Sequence, residues 1–262
     1  MLQLKKSIRL ESLRQPFKKA LVTAASLGAD AVEINGLTEV RPAEMSRTAV
    51  RHLRKLLADL NLQVSAIHFP TRRGYDNVDD LDRRVDATKS TLTMAYELGC
   101  NVVVNRIGRV PEDTAHPSWN TMVQALSDIG NFSQKSGAWL AARSGGESGE
   151  SLKRLIDSLP VHSLVVDFDA ADFLINGHSP TESMKILGEH VMSFRARDAV
   201  NDLSQGRGVE VQLGRGSVDW ASLLGTLEEH NYQGFLTIER ESEQNSIVEV
   251  GQAIEYLTNL FG

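Results

Sequence analysis

The sequence has little cysteine, no long apolar run and no excess of positive charge. Cys100 is the single cysteine among 262 residues, so no disulfide forms within the chain and nothing requires an oxidising compartment. No segment approaches the roughly 20 apolar residues of a membrane-spanning helix. The first ten residues lack the apolar run of a signal peptide. We therefore expect a soluble cytoplasmic protein with no membrane partner.

The charge balance and the even composition limit the partners and the number of domains. A formal net charge of −6 provides no basic surface for a nucleic acid, so no nucleic-acid partner is expected. Hydrophobic residues make up 41% of the chain, which is ordinary for a protein with a sizeable core. Because no Pro/Ser-rich linker or shift in composition divides the chain, we expect one domain over residues 1–262.

Short β-like segments alternate with amphipathic helical segments along the whole chain. The predicted strands lie at residues 7–10, 31–35, 63–69, 101–105, 138–143, 163–169 and 191–197, with an eighth near the end of residues 213–240. The predicted helices lie at residues 15–27, 46–60, 78–98, 118–135, 151–159 and 180–187, within residues 213–240, and at 247–260. Strands that are apolar on both faces and separated by helices are typical of a parallel sheet.

Eight such units predict an α/β fold with a single (β/α)8 TIM barrel. The competing fold is an open, doubly wound sheet. Its dinucleotide-binding form has a G-x-G-x-x-G turn after the first strand, and this chain has none. The Gly-rich stretch at residues 144–149, SGGESG, follows the fifth strand and lacks the Lys-Ser/Thr pair of a phosphate-binding loop. The barrel is therefore the favoured architecture.

Polar residues end most of the predicted strands, and in a barrel these ends converge at one mouth. The residues at these positions are Glu33, His68, Asn105, Arg143, Asp169, Arg195 and Glu239. Each of them alone has a structural explanation, as a buried ion-pair partner or a hydrogen-bonded histidine. Seven polar residues at matching places in seven strands are harder to explain as core residues, because burying polar groups costs free energy. They predict a functional site at the mouth.

Three stretches resemble one known family: SLGADAVEIN, VVDFDAADFLINGHSP, and LGRGSVDW followed by GFLTIE. They are similar to the xylose isomerase-like TIM barrels, a family of sugar and sugar-phosphate isomerases and epimerases that also includes AP endonucleases. The resemblance covers nearly the whole chain. It implies a divalent metal ion held by a Glu after strand five, an Asp after strand six, a His on strand seven and a Glu after strand eight.

Two of the four implied metal ligands are replaced in this chain. Asp169 and Glu239 match the strand-six and strand-eight ligands, whereas Arg143 and Arg195 stand at the other two positions. A guanidinium group has no lone pair to donate and stays protonated, so it cannot bind a metal ion. We therefore predict no cofactor and no catalytic metal. The alternative is a weakly held divalent cation on Asp169 and Glu239, with Glu147 as a replacement ligand.

Arginine is concentrated at the predicted mouth. Eleven of the nineteen arginines fall at strand ends or in the following loops, and none of the nine lysines does. Arginine is suited to planar, bidentate recognition of carboxylate and phosphate. The predicted substrate-binding residues are Arg143, Arg195, Arg197, Glu33, Asn105, Arg106 and Arg215, and the predicted partner is a small anionic sugar or sugar-phosphate-like molecule. The alternative is structural: these arginines pair with Glu33, Asp167, Asp169, Asp198 and Glu239 and hold the loops.

The resemblance leaves three functions to compare. The first is a sugar-phosphate isomerase or epimerase with a degenerate metal site, in which Glu239 is the base and Asp169 or His68 the acid for proton transfer next to a carbonyl. Pairing with arginine would lower the pKa of both carboxyl groups and weaken them as bases.

The second is a metal-free, non-catalytic binder of an acidic metabolite or a partner protein. The sequence also leaves a homodimer open.

The third function is DNA repair by a nuclease of the endonuclease type. Such a site needs several histidines for its metal cluster. Asn105, Asp172 and Arg195 stand where these histidines are expected. Together with the acidic net charge, this substitution counts against a nuclease.

Overall fold

A computed structural model describes residues 5–202, 207–241 and 246–261, and its main feature is a closed barrel of eight parallel strands. The barrel strands are β1 (Lys5–Arg9), β2 (Ala31–Asn35), β3 (Gln63–His68), β4 (Val102–Asn105), β5 (Trp139–Arg143), β6 (Val165–Asp169), β7 (Val191–Ala196) and β10 (Phe235–Ile238). They follow one another around the barrel in this order, and β1 pairs with both β2 and β10. The predicted (β/α)8 barrel is thus confirmed.

Helices alternate with the strands and cover the outside of the barrel. They are α1 (Phe17–Ser26), α2 (Arg47–Asp59), α3 (Leu81–Glu97), α4 (Pro117–Ser136), α5 (Gly149–Asp157), α6 (Ala170–Ile175), α7 (Pro180–Leu187), α8 (Trp220–Glu229) and α9 (Ser246–Phe261). Within the described ranges, none of these helices has the length and apolar character needed to cross a membrane.

Local sequence signals explain where several helices begin and end. The side-chain oxygens of Ser46, Ser148 and Asp219 accept hydrogen bonds from backbone amides in the first turns of α2, α5 and α8. Such caps satisfy N–H groups that have no partner within the helix. α4 ends at Gly137, whose φ of 77° is the left-handed conformation that favours glycine.

The apolar core lies between the strands and the helices, not along the barrel axis. Leu21, Leu126, Leu155 and Leu227 are fully buried on the inner faces of their helices. The barrel interior instead holds hydroxyl groups and charges. They belong to Ser7, Ser65, Ser193 and Thr237, all buried, and to the ion-paired residues described below. Barrel interiors are usually filled by branched apolar residues, so this interior is unusually polar.

Four elements differ from the sequence-based expectation. β1 covers Lys5–Arg9, not residues 7–10, because the chain turns at Leu10 into a 3-10 helix, Leu10–Leu13. Strands β8 (Asp198–Asp202) and β9 (Arg207–Val211) form an antiparallel pair that was not predicted. The short helix α6 directly follows β6 and was also missed. Both lie at the carboxyl end of the barrel, next to the predicted site.

Candidate functional site

Arg195 on β7 lies at the centre of the barrel mouth and is fully buried. Its Nε donates to Asp167 Oδ2 at 2.7 Å, and its Nη2 lies 2.6 Å from Glu33 Oε2. Its Nη1 donates to Glu33 Oε1 at 2.9 Å and to Glu239 Oε2 at 3.0 Å. One guanidinium group therefore joins carboxylates from β2, β6 and the end of β10.

Two further arginines hold Asp169, at the end of β6. Arg143 Nη2 and Arg197 Nη1 each donate to Asp169 Oδ2 at 2.8 Å. The other oxygen, Oδ1, accepts the backbone N–H of Asp172 at 3.0 Å and so caps α6. Arg143 Nη1 also contacts both carboxylate oxygens of Glu239 at 3.1 Å. No oxygen of Asp169 or Glu239 is left without a donor.

Arg9 at the end of β1 belongs to the same cluster, although the sequence analysis missed it. Its Nη1 donates to Glu239 Oε1, and its Nη2 donates to Glu11 Oε2 at 2.6 Å. The sequence does contain an indication of this position. Residues two apart lie on the same face of a strand, so Arg9 shares a face of β1 with Ser7, and the end of β1 also reaches the mouth. A short first strand with little apolar character hid this signal.

We call these eight side chains the ion-pair lattice: Arg9, Arg143, Arg195, Arg197, Glu33, Asp167, Asp169 and Glu239. Four guanidinium groups face four carboxylates, and all except Arg9 are almost completely buried. Arg143, Arg195 and Arg197 pair with acidic residues of the chain, as the structural alternative in the sequence analysis proposed. Their assignment to substrate binding stays a prediction.

The lattice lowers the pKa of two of its carboxyl groups, whereas burial raises that of Glu33. Burial alone would raise the pKa of Glu239, but the guanidinium groups of Arg143, Arg195 and Arg9 hold this pKa well below its usual range. For Asp169 burial is likewise opposed by Arg197 and Arg143, and the pKa is lowered. A carboxylate with a lowered pKa and fully occupied oxygens is a weak base. The catalytic roles predicted for these two residues remain predictions.

His68 at the end of β3 is held as a neutral imidazole. Burial and the positive charges of Arg9 and Arg195 lower its pKa to about 2. Arg9 Nη2 lies 3.0 Å from Nδ1, and because a guanidinium group can only donate, Nδ1 accepts and the proton sits on Nε2. His68 can therefore offer a neutral N–H donor, but it cannot act as an imidazolium acid near neutral pH. Its predicted catalytic role is untested.

Other predicted residues lie at different depths of the mouth. Asn105 is fully buried and donates from Nδ2 to Thr71 Oγ1 at 2.9 Å and to the Tyr75 hydroxyl at 3.1 Å. Arg106 is 60% exposed and pairs with Asp172 at 2.9 Å. Arg215 is exposed in the loop before α8, and no ion pair joins its side chain to the described residues.

Asp198, at the start of β8, fixes that loop. Its carboxylate accepts the backbone N–H groups of Gly214 at 3.0 Å, Gly216 at 3.1 Å and Val218 at 3.2 Å. The indole Nε1 of Trp220 lies 3.5 Å from the same group. These bonds connect the β8–β9 hairpin to the start of α8 and close one side of the mouth. The sequence pointed to Asp198 only as a partner for an arginine.

The implied divalent metal ion does not fit the residues of this mouth. Carboxylate and imidazole lone pairs are what such an ion needs, but the oxygens of Asp169 and Glu239 are already engaged by arginine donors or backbone N–H groups. Glu147 contacts neither residue in the hydrogen bonds of the described ranges. Within those ranges, no group of three or more His, Cys, Asp or Glu residues is arranged to hold a metal ion.

Solved structures of several proteins share this architecture. A xylose isomerase domain protein from Planctomyces limnophilus is 24% identical, with a TM-score of 0.85 over 99% of this chain and 97% of that one. A xylose isomerase-like TIM barrel protein from Mycobacterium smegmatis, solved in complex with magnesium, is 14% identical, with a TM-score of 0.78 over 98% and 96%. A D-allulose 3-epimerase from a Methylomonas species is 16% identical, with a TM-score of 0.76 over 99% and 98%.

At these identities the likeness establishes the fold alone. No curated protein sequence matches the chain. The profile of the xylose isomerase-like TIM barrel family, in contrast, matches residues 21–260. This range includes seven of the eight barrel strands and all the α-helices except the first turn of α1 and the last residue of α9. The chain therefore belongs to the xylose isomerase-like TIM barrel family.

Proposed function

We propose that the mouth of this barrel binds a small anionic sugar or sugar acid without a divalent metal ion and without metal-assisted proton transfer. The ion-pair lattice carries this proposal. In the family's implied site a metal ion supplies the positive charge between carboxylates. Here Arg143 and Arg195 supply it, each contacting carboxylates from two or more strands.

The lattice is buried, and Asp172 and Glu210 extend it through Arg197, so it serves as the floor of a ligand site. Four positive and four negative groups pair within it, and breaking these buried pairs to accommodate a ligand would leave uncompensated charges. A ligand therefore contacts the groups above the lattice. The Glu11 carboxylate and the Arg106 guanidinium group are the more exposed of these groups, whereas the His68 side chain, with its Nε2–H, is only 10% exposed. Hydrogen-bond donors and acceptors of mixed charge suit a hydroxylated, charged molecule.

Proton transfer without a metal ion is the second candidate, and the neutral state of His68 favours it. A neutral imidazole N–H, fixed by Arg9, can donate to a carbonyl oxygen while a base removes the neighbouring proton. Epimerases among the structural neighbours act on sugars. The base is the weak part of this candidate, because the low pKa values of Asp169 and Glu239 oppose proton uptake.

The metal content of the purified protein tests the first candidate. We expect no stoichiometric Mg, Mn, Co or Zn by elemental analysis, and no binding of Mn²⁺ by calorimetry. In the double variant Arg143→Glu/Arg195→His, the two missing ligands are restored beside Asp169 and Glu239, and Mn²⁺ should bind and raise the melting temperature. The control Arg143→Lys/Arg195→Lys keeps the charges and should not bind.

Two outcomes contradict this expectation. A stoichiometric metal ion in the parent protein would return the chain to metal-dependent chemistry. Absence of Mn²⁺ binding in the folded double variant would show that Arg143 and Arg195 do not occupy the ligand positions. Turnover is measured separately, by solvent deuterium incorporation into a panel of ketose and aldose phosphates. Incorporation that persists in excess chelator would favour the second candidate.

A further inference from the structure

Glu147 differs from the four carboxylates of the ion-pair lattice because, among the described residues, no guanidinium group forms an ion pair with it. Its Oε1 atom is buried and has no hydrogen-bond partner among the described residues. Burial raises the pKa of this carboxyl group to about 7, against the opposing effect of Arg106. An acceptor buried without a partner costs free energy. A bound ligand that donates to this oxygen would remove the cost.

The loop that carries Glu147 is held at both ends. At one end, the backbone N–H of Ser144 donates to the carbonyl oxygen of Asp167 at 3.0 Å. At the other end, Ser148 Oγ accepts the backbone N–H of Ser151 at 3.2 Å and caps α5. Two residues separate Glu147 from the first anchor and none separates it from the second. The backbone that carries Glu147 is thus held between β5 and α5, at the end of the barrel where the site lies.

Arg106, after β4, is the cation beside this loop. Its Nη2 donates to Asp172 Oδ2 at 2.9 Å, while the side chain is 60% exposed. Gly145, with φ of 108°, packs against the same residue: a Cβ at this position would lie 2.6 Å from the Cβ of Asp172. The loop of Glu147 and the guanidinium group of Arg106 therefore meet at Asp172. Since a guanidinium group has five N–H donors, Arg106 retains donors for a ligand.

We propose that Glu147 and Arg106 form a ligand-binding pair that recognises a hydroxy acid, a proposal that rests on the function proposed above and specifies its ligand. A hydroxyl group of the ligand donates to Glu147 Oε1, and its carboxylate accepts from Arg106. A neutral sugar satisfies only Glu147, and an amine is repelled by Arg106. A molecule with two neighbouring carboxylates is repelled by Glu147. The pair thus selects a sugar acid over the neutral sugar of equal length.

Calorimetry at pH 8 with three matched pairs of probes tests this selection. The probes are the acids erythronate, ribonate and gluconate and the sugars erythrose, ribose and glucose. We expect the parent to bind at least one acid about ten-fold more tightly than its sugar, since a charged hydrogen bond contributes about 1.5–3 kcal/mol. Glu147→Gln should weaken binding of that acid about ten-fold, and Arg106→Gln should abolish the preference for the acid.

Matched controls separate recognition from folding. Glu150→Gln on α5 and Arg51→Gln on α2 change exposed residues of the same types, and they should leave both affinities within about two-fold. If an acid binds the parent and folded Glu147→Gln binds it equally well, the pair is refuted, but the proposed ligand site stands. If none of the six probes binds the parent, the hydroxy-acid proposal fails. If the ketose and aldose phosphates do not bind either, the proposed function fails with it.

Discussion

At the scale of single residues, the mouth is organised around one buried guanidinium group. Arg195 contributes one fully buried positive charge and donates to Glu33, Asp167 and Glu239. Removing one partner of a buried, hydrogen-bonded ion pair is much more costly than removing an exposed one, because the remaining charges stay buried without compensation. Replacing Arg195 should be especially destabilising, because it would leave three carboxylates from different parts of the barrel without this partner.

Arg195→Met should therefore destabilise the protein strongly. We expect the free energy of unfolding to fall by about 3–5 kcal/mol or more, or the variant not to fold. The matched control, Arg106→Met, removes a mostly exposed guanidinium group and should cost less than about 1 kcal/mol. Urea unfolding followed by tryptophan fluorescence measures both values. Equal losses in the two variants would contradict a buried lattice.

Replacing Glu147, unlike replacing Arg195, should raise the free energy of unfolding, and the size of this gain should depend on pH. Its pKa rises from an ordinary 4.5 to about 7 in the folded protein, so the folded state binds this proton more tightly than the unfolded state does. The stability contributed by this proton is full below pH 4.5 and is lost as the pH rises through 7. Arg106 is the charged group that faces this carboxyl group and opposes the shift.

Glu147→Gln should thus stabilise the protein at pH 8, on the order of 1–3 kcal/mol, and the gain should vanish at pH 4. Urea unfolding at the two pH values measures it. Glu150→Gln removes an exposed carboxyl group on α5 whose pKa is lowered by hydrogen bonds from its own backbone N–H and from Ser148. It should give no gain at either pH and a small loss at pH 8. A gain of equal size at pH 4 and pH 8 would show that the effect is not ionisation of the carboxyl group. If Glu147→Gln both stabilises the protein and weakens ligand binding, Glu147 is a residue that lowers stability but is needed for function.

At the scale of elements, the sequence predicted the barrel better than it predicted the parts that surround the mouth. Helices such as α2 were predicted within one residue of each end, because a cap and an apolar stripe (Val50, Leu53, Leu57) coincide there. The β8–β9 hairpin was missed because residues 198–211 were assigned to a connection, although Gly208–Val211 alternates in polarity. The partners of Arg9 and Asp198 come from distant elements, and a pattern within one segment cannot indicate them.

The hairpin and the loop before α8 should behave as one element held by Asp198. Asp198→Asn keeps the shape of the side chain but replaces one acceptor oxygen with an NH2 donor facing backbone N–H groups. We expect a loss of about 1–3 kcal/mol in unfolding free energy, and faster hydrogen exchange at the amides of Gly214, Gly216 and Val218. The control Asp157→Asn, on the exposed side of α5, should change neither. Unchanged exchange at the three amides would show that Asp198 does not hold the loop.

At the scale of the whole molecule, the closed barrel couples the two ends of the chain. β1 pairs with β10, and α9 packs against β1, β10 and the first 3-10 helix through Val250, Ala253, Ile254 and Leu257. No edge strand remains in the barrel, so opening the β1–β10 seam would expose unpaired backbone groups along two strands. Because every barrel strand pairs with two neighbours, we expect the barrel to unfold as one unit. The single domain predicted over residues 1–262 stays a prediction.

Truncating the core at opposite sides of the barrel tests this unity. Leu257→Ala on α9 and Leu126→Ala on α4 each remove a fully buried side chain and should each cost about 2–5 kcal/mol. If the chain is one cooperative domain, both variants shift one urea transition, and circular dichroism and tryptophan fluorescence report the same midpoint. Leu260→Ala, a 39% exposed position on α9, should cost well under the Leu257→Ala value. A mutation shifts only the unfolding transition of the cooperative unit that contains it. Two separate transitions, one shifted by Leu257→Ala and the other by Leu126→Ala, would therefore show that the chain consists of two domains.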